Sequence, residues 1–78
     1  LEYGLDELQI HQNVIKKNQR VLLVDDLLAT GGTLRACTCL INKIGAEIVG
    51  CAVLIELTRL GGRDFLKPYN VTSVLEYS

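Results

Sequence analysis

Two adjacent carboxylates, Asp25 and Asp26, stand between an apolar run and a loop of small, hydroxyl-bearing residues in the stretch VLLVDDLLATGGT, residues 21–33. Carboxylates repel a phosphate, so their chemistry suits neutral hydroxyls or a metal ion. The second half of the stretch has the opposite preference. Gly31 and Gly32 let the backbone approach a ligand closely, and Thr30 and Thr33 supply hydroxyl donors. The unpaired amides of a helix beginning there carry partial positive charge that suits a phosphate. Together these groups call for a ligand with a phosphate at one end and a diol beside it, as in a ribose 5-phosphate. Each piece alone is commonplace; one unbroken run after an apolar strand is a strong signal. The chain lacks GxGxxG and the lysine of a Walker A loop, which disfavours dinucleotide and nucleoside-triphosphate folds.

The elements that must hold this stretch follow from periodicity. Residues 20–25 read as a central strand buried on both faces, hence as part of a parallel sheet. Residues 26–32 form the loop at its carboxyl end, where open α/β sheets bind ligands. A helix over about 33–44 presents Leu34, Cys37, Leu40, Ile41 and Ile44 as its apolar face and turns Arg35, Asn42 and Lys43 outward. Thr30 or Thr33 is its candidate N-cap and Gly45 its C-cap. A long apolar strand over 47–57, also buried on two sides, completes a right-handed parallel βαβ unit. Residues 58–68 connect through a short helical turn, with Gly61 and Gly62 at its start and Pro68 at its end. Arg63 reads there as a surface residue, with a phosphate contact as the alternative. Residues 71–77 form a last edge strand. Upstream, 5–11 alternate weakly as a half-exposed strand with His11 on its polar face. Residues 12–19 make a polar connection with Val14 and Ile15 tucked beneath it and Asn18 in a turn of positive φ.

The run VDDLLATGGT resembles the phosphoribosyl pyrophosphate (PRPP) signature of the type I phosphoribosyltransferases, and more particularly the adenine phosphoribosyltransferase family. LEYG at residues 1–4, GAEIVGCAVLIEL, GGRDFL and SVLEY follow in that family's order. The resemblance covers nearly all of residues 1–78 but only the carboxyl-terminal half of the enzyme. It implies a partial type I phosphoribosyltransferase fold, an α/β parallel sheet whose βαβ unit carries the PRPP loop. The implied activity makes AMP and pyrophosphate from adenine and PRPP. In that frame Asp25 and Asp26 hold the ribose hydroxyls, and Ala29, Thr30, Gly31, Gly32 and Thr33 hold the 5′-phosphate. Leu27 or Leu28 flanks the base, and Glu2 exchanges the proton on purine N7. Mg²⁺ enters through pyrophosphate and water, with no direct protein ligand. The resemblance also implies a cytoplasmic homodimer. A non-catalytic PRPP- or nucleotide-sensing module of the same fold is the alternative; it would keep the acid pair and the loop without needing Glu2. A hypoxanthine/guanine or orotate transferase is a further alternative, disfavoured by LEYG and DDLLATGG.

Composition sets the outer bounds. The chain has 78 residues, net charge −1 and 22% charged residues. Its basic residues are scattered, so it offers no electrostatic footprint for nucleic acid or an anionic membrane. Its apolar runs are far shorter than a membrane span. A chain this short supplies three or four strands and one good helix, a marginal core; that, and a start without Met, leads us to expect a fragment. Cys37, Cys39 and Cys51 are odd in number, and a CxC pair in a helix points its thiols to different sides. Buried, reduced thiols are therefore expected rather than a zinc site.

Overall fold

The computed structural model describes residues 15–78. Its elements are β1 (Arg20–Leu28), α1 (Gly32–Ile44), β2 (Glu47–Leu57), a 3₁₀ turn (Thr58–Leu60), α2 (Gly62–Phe65) and β3 (Val71–Tyr77). The strands form one parallel sheet in the order β1-β2-β3. The α/β fold class, the parallel βα β connection and the bounds of the second and third strands stand as the sequence indicates.

β1 differs from expectation in three respects. It runs on to Leu28, with Leu27 opposite Ile55 and Leu28 opposite Glu56. The ladder is made by backbone groups, and β2 continues to Leu57, so partners remain available past the two acids. Next, β2 rather than β1 is the central strand among the described residues. Finally, the first half of β1 is buried on one side only: Val21 and Leu23 are buried, whereas Leu22 and Val24 are exposed. α1 and Leu66, the residue that closes α2, contribute to a single core with the sheet, where Leu34, Cys37, Ile41 and Leu66 join Val21, Leu23, Cys51, Val53 and Val71.

α1 begins and ends at glycines. Gly45 closes it, its N–H donating to the Asn42 and Ile41 carbonyls, and the Ala46 N–H also reaches Ile41 O. Its buried face is Leu34, Cys37, Thr38 and Ile41, with Leu40 and Ile44 only partly covered. Apolar periodicity does not reveal Thr38; its hydroxyl donates to Arg35 O at 2.7 Å, which satisfies it within the core. Ile41 has no exposed surface. Ile41→Val removes one methylene from that site and should cost about 1 kcal/mol, read as a lower urea midpoint at unchanged m-value.

Ile15 is tucked into the core and Asn18 has φ 68°, as expected for the connection into β1. The strand over 5–11, His11 and Val14 lie outside the described residues.

Candidate functional site

The carboxyl end of β1, the loop after it and the first turn of α1 enclose a concavity of about 280 Å³, lined by the unbroken run 25–34. This is the size of a small polar ligand, at the low end of small-molecule sites. Every loop residue proposed from the sequence lies on its wall.

The two acids sit at one end. Asp25 is half-buried, still in the ladder opposite Val53, and Asp26 is exposed. The Asp26 N–H donates to Asp25 Oδ1 at 2.8 Å, which turns the Asp25 carboxylate along the strand end. Leu27 and Leu28 separate sharply: Leu27 is 44% exposed, Leu28 1%. Leu28 is committed to the core beneath α2, so of this pair Leu27 presents the larger apolar surface.

The other end is built around Gly31, which caps α1 with φ 88°. Neither Thr30 nor Thr33 caps the helix; no side-chain cap bond is made. The left-handed turn at Gly31 explains this correction. It folds the backbone sharply into the helix, and the Arg35 N–H to Gly31 O bond of 2.9 Å closes the first turn. Amides of that turn are left without intrahelical acceptors and form the positive end of the helix. Thr30 is exposed and Thr33 half-buried at the concavity. No acid lies in the first turn to compete with an anion.

Arg35 is the nearest base in the chain to this loop, yet it is used elsewhere. Its Nη1 donates to Phe65 O at 2.8 Å, and its guanidinium lies 5.1 Å from the centroid of the Phe65 ring. Arg63 is exposed, as its reading as a surface residue has it, but its guanidinium is engaged within the fold. Its Nε and Nη2 make a forked contact with Glu56, at 3.2 Å to Oε2 and 2.7 Å to Oε1, and its Nη1 donates to Val71 O. Ser73 Oγ donates to Glu56 Oε1 at 3.1 Å. Glu56 is 3% exposed. Its hydrogen bond from Arg63 holds the carboxyl below its ordinary value, against the opposing effect of burial, with Ser73 assisting. Sequence reasoning missed Glu56. The available signal was a carboxylate inside an apolar strand, a position that demands a partner, with an arginine seven residues on.

Of the thiols, Cys37 and Cys51 are buried but Cys39 is exposed, correcting the expectation that all are covered. The CxC thiols do point apart, and burial pushes the Cys51 thiol up. Among the described residues no three potential ligand side chains converge on a metal site. Glu2, the proposed proton carrier, lies outside the described residues.

Residues 4–76 match the family model of the phosphoribosyl transferase domain. The chain belongs to that family. A curated relative, adenine phosphoribosyltransferase of Rhodopirellula baltica, is 66% identical over 77 residues, which is 99% of this chain but 37% of the relative. Among solved structures, adenine phosphoribosyltransferase from Thermoanaerobacter pseudethanolicus superposes with TM-score 0.84 at 41% identity, over 87% of this chain and 40% of that one. The Trypanosoma brucei enzyme, determined in complex with AMP, pyrophosphate and ribose-5-phosphate, gives TM-score 0.75 at 30% identity, over 82% and 31%. This phosphoribosyl transferase domain thus spans about two fifths of the length of the relatives it matches. Its partial type I fold, with the loop of residues 29–33 between strand and helix, agrees with the resemblance carried by VDDLLATGGT.

Proposed function

We propose that the protein makes AMP and pyrophosphate from adenine and PRPP, and that residues 25–33 hold the ribose 5-phosphate part of PRPP. One observation carries this reading: a single unbroken run lines one small concavity, with carboxylates at one end and helix amides at the other. That polarity matches a molecule with a diol at one end and a 5′-phosphate at the other. The names of the relatives, and the ligands of the Trypanosoma brucei structure, support adenine and PRPP as the substrates.

In this reading Asp25 and Asp26 accept hydrogen bonds from the 2′- and 3′-hydroxyls. Their negative charge also stabilises the positive charge that develops at C1′ in the transition state. Ala29, Thr30, Gly31, Gly32 and Thr33 hold the 5′-phosphate through amides and hydroxyls. Leu27, rather than the buried Leu28, flanks the flat base. The C1′–oxygen bond to pyrophosphate breaks, with the electron pair leaving on pyrophosphate, as adenine N9 bonds to C1′. The N7 proton of adenine passes to Glu2. Paired carboxylates next to a phosphate site fit a magnesium ion that arrives with its ligand and keeps its waters. When bound, that ion neutralises charge on the pyrophosphate, and Asp25 and Asp26 are the residues that would take its waters. The cytoplasmic homodimer implied by the resemblance belongs to the same proposal.

The test is AMP formation from adenine and magnesium–PRPP by the protein as its gene encodes it, with guanine, hypoxanthine and orotate as competing substrates. Turnover with adenine at least about 100-fold above the other bases is expected, the margin a site matched to one set of base hydrogen bonds achieves. PRPP binding without turnover on any base would replace the proposal with the sensing module.

A further inference from the structure

α2 makes backbone contact with the loop assigned to the 5′-phosphate. A methyl group on Gly62 would stand 2.5 Å from Ala29 O and 2.8 Å from Leu28 Cδ1. A methyl on Gly31 would stand 3.1 Å from Gly62 O and 3.2 Å from Gly62 Cα. Two glycines therefore lie face to face, each leaving room for the other's backbone. The segment bearing Gly62 is anchored on both sides. Arg35 of α1 grips Phe65 by its carbonyl and ring. Arg63 grips Glu56 of β2 and Val71 O and reaches Ser73 of β3. Leu66, with no exposed surface, plugs the core beneath. A strand-to-helix loop of this kind has no ladder to stiffen it, whereas one pressed against a segment tied to both the sheet and α1 has fixed backbone directions.

We propose that Gly62 and Arg35 are positioning residues for the phosphate loop: the 62–65 segment is a brace that sets where the amides of residues 30–33 point. The proposal rests on the assignment of that loop to the 5′-phosphate. It accounts for the use of Arg35. A base one turn into the helix would ordinarily serve an anion directly, but the planar guanidinium of this one bonds the Phe65 carbonyl through Nη1 and lies against the Phe65 ring, a geometry that lysine does not reproduce. Preorganised amides lose affinity steeply when displaced, so the effect of disturbing the brace falls on the phosphate-bearing substrate and spares the base.

The experiment compares the unvaried protein, as its gene encodes it, with Gly62→Ala and Arg35→Lys. It measures kcat, KM for PRPP and KM for adenine, and the Kd for ribose 5-phosphate. Neither substitution changes the net charge. Gly62→Ala should raise KM for PRPP and the Kd for ribose 5-phosphate about 10-fold or more, the range expected of a sub-ångström to ångström misplacement. KM for adenine should stay within about twofold of its original value. Arg35→Lys should raise the same two constants about threefold through the weaker grip on Phe65. A purely structural role would lower thermal stability yet leave both constants of the folded enzyme unchanged, and that result overturns the proposal. So does a parallel rise in both KM values. If Gly62→Ala yields no soluble protein, Arg35→Lys decides alone, on the same criteria. If the unvaried protein binds ribose 5-phosphate without turning over adenine, the function above fails while the Kd comparison still judges the brace. If it binds no ribose 5-phosphate, both fall.

Discussion

Replacing Asp25 and Asp26 together by asparagine will lower kcat/KM for AMP formation about 1,000-fold while leaving the fold in place. The magnitude follows from the contacts removed. Each carboxylate is assigned a charge-assisted hydrogen bond to a ribose hydroxyl, worth roughly 1.5–3 kcal/mol, and two of these amount to two to four powers of ten in rate. Asparagine keeps the shape and can still accept a hydrogen bond. On the proposed ribose assignment, what it removes is negative charge beside C1′, which matters most when the sugar becomes cationic. The loss should therefore appear mainly in kcat, with a smaller rise in KM for PRPP. Stability should change little, because Asp26 is exposed and Asp25 half-buried at the end of β1. The Asp26 N–H to Asp25 bond also survives, since an amide oxygen at the same position accepts it. Steady-state kinetics and a thermal melt on the double variant check both halves. Turnover within about tenfold of the original would remove the ribose assignment, because two lost charge-assisted bonds cannot cost so little.

This site was legible in the sequence because its parts are contiguous. An acid pair, two threonines and two glycines within nine residues can line one concavity only if a turn folds them around it, and the αL turn at Gly31 does so. The helix and the second and third strands were legible for a similar reason: periodicity and glycine punctuation are local signals. What escaped notice depends on contacts across the fold. Leu27 and Leu28 look alike in sequence, yet one is half-exposed and the other lies beneath Gly62. Thr30 and Thr33 are good cap formers by type, but the cap is set by a backbone turn. The one-sided burial of residues 21–24 in β1 could not be read from their apolar run, since the sequence of a strand records which faces are apolar and not what covers them. Arg35 and Arg63 look like ordinary surface cations until Phe65 and Glu56, distant along the chain, are brought beside them.

The Glu56–Arg63 pair should be the largest single polar contribution to stability among the described residues. Arg63→Ala should lower unfolding free energy by about 3 kcal/mol, the low end of the cost of stripping a partner from a buried charge. The low end applies because the Arg63 side chain is 44% exposed and water partly screens the pair, whereas the Glu56 side chain is only 5% exposed. Alanine would leave that carboxylate with Ser73 alone and would also unpair Val71 O. Glu56→Gln should cost less, since a neutral amide can still accept from Arg63 and carries no buried charge. The pH dependence has a definite sign. Arg63 lowers the folded-state value of Glu56 below its ordinary 4.5, so near and below that pH the unfolded chain takes up the proton more readily. The stabilisation is fully present above about pH 4.5 and is lost as pH falls through the lowered folded value. Arg63, pushed upward by the same contact, stays charged throughout. Urea unfolding of the original and of Glu56→Gln should therefore differ by a constant amount at neutral pH and converge in acid. A difference that persists unchanged below the folded value would mean that Glu56 contributes through the pattern of its hydrogen bonds rather than through its charge. Because Arg63 also ties down the segment behind the phosphate loop, Arg63→Ala should raise KM for PRPP along with its loss of stability, whereas Ile41→Val, six residues along α1 from Arg35, should lower stability alone.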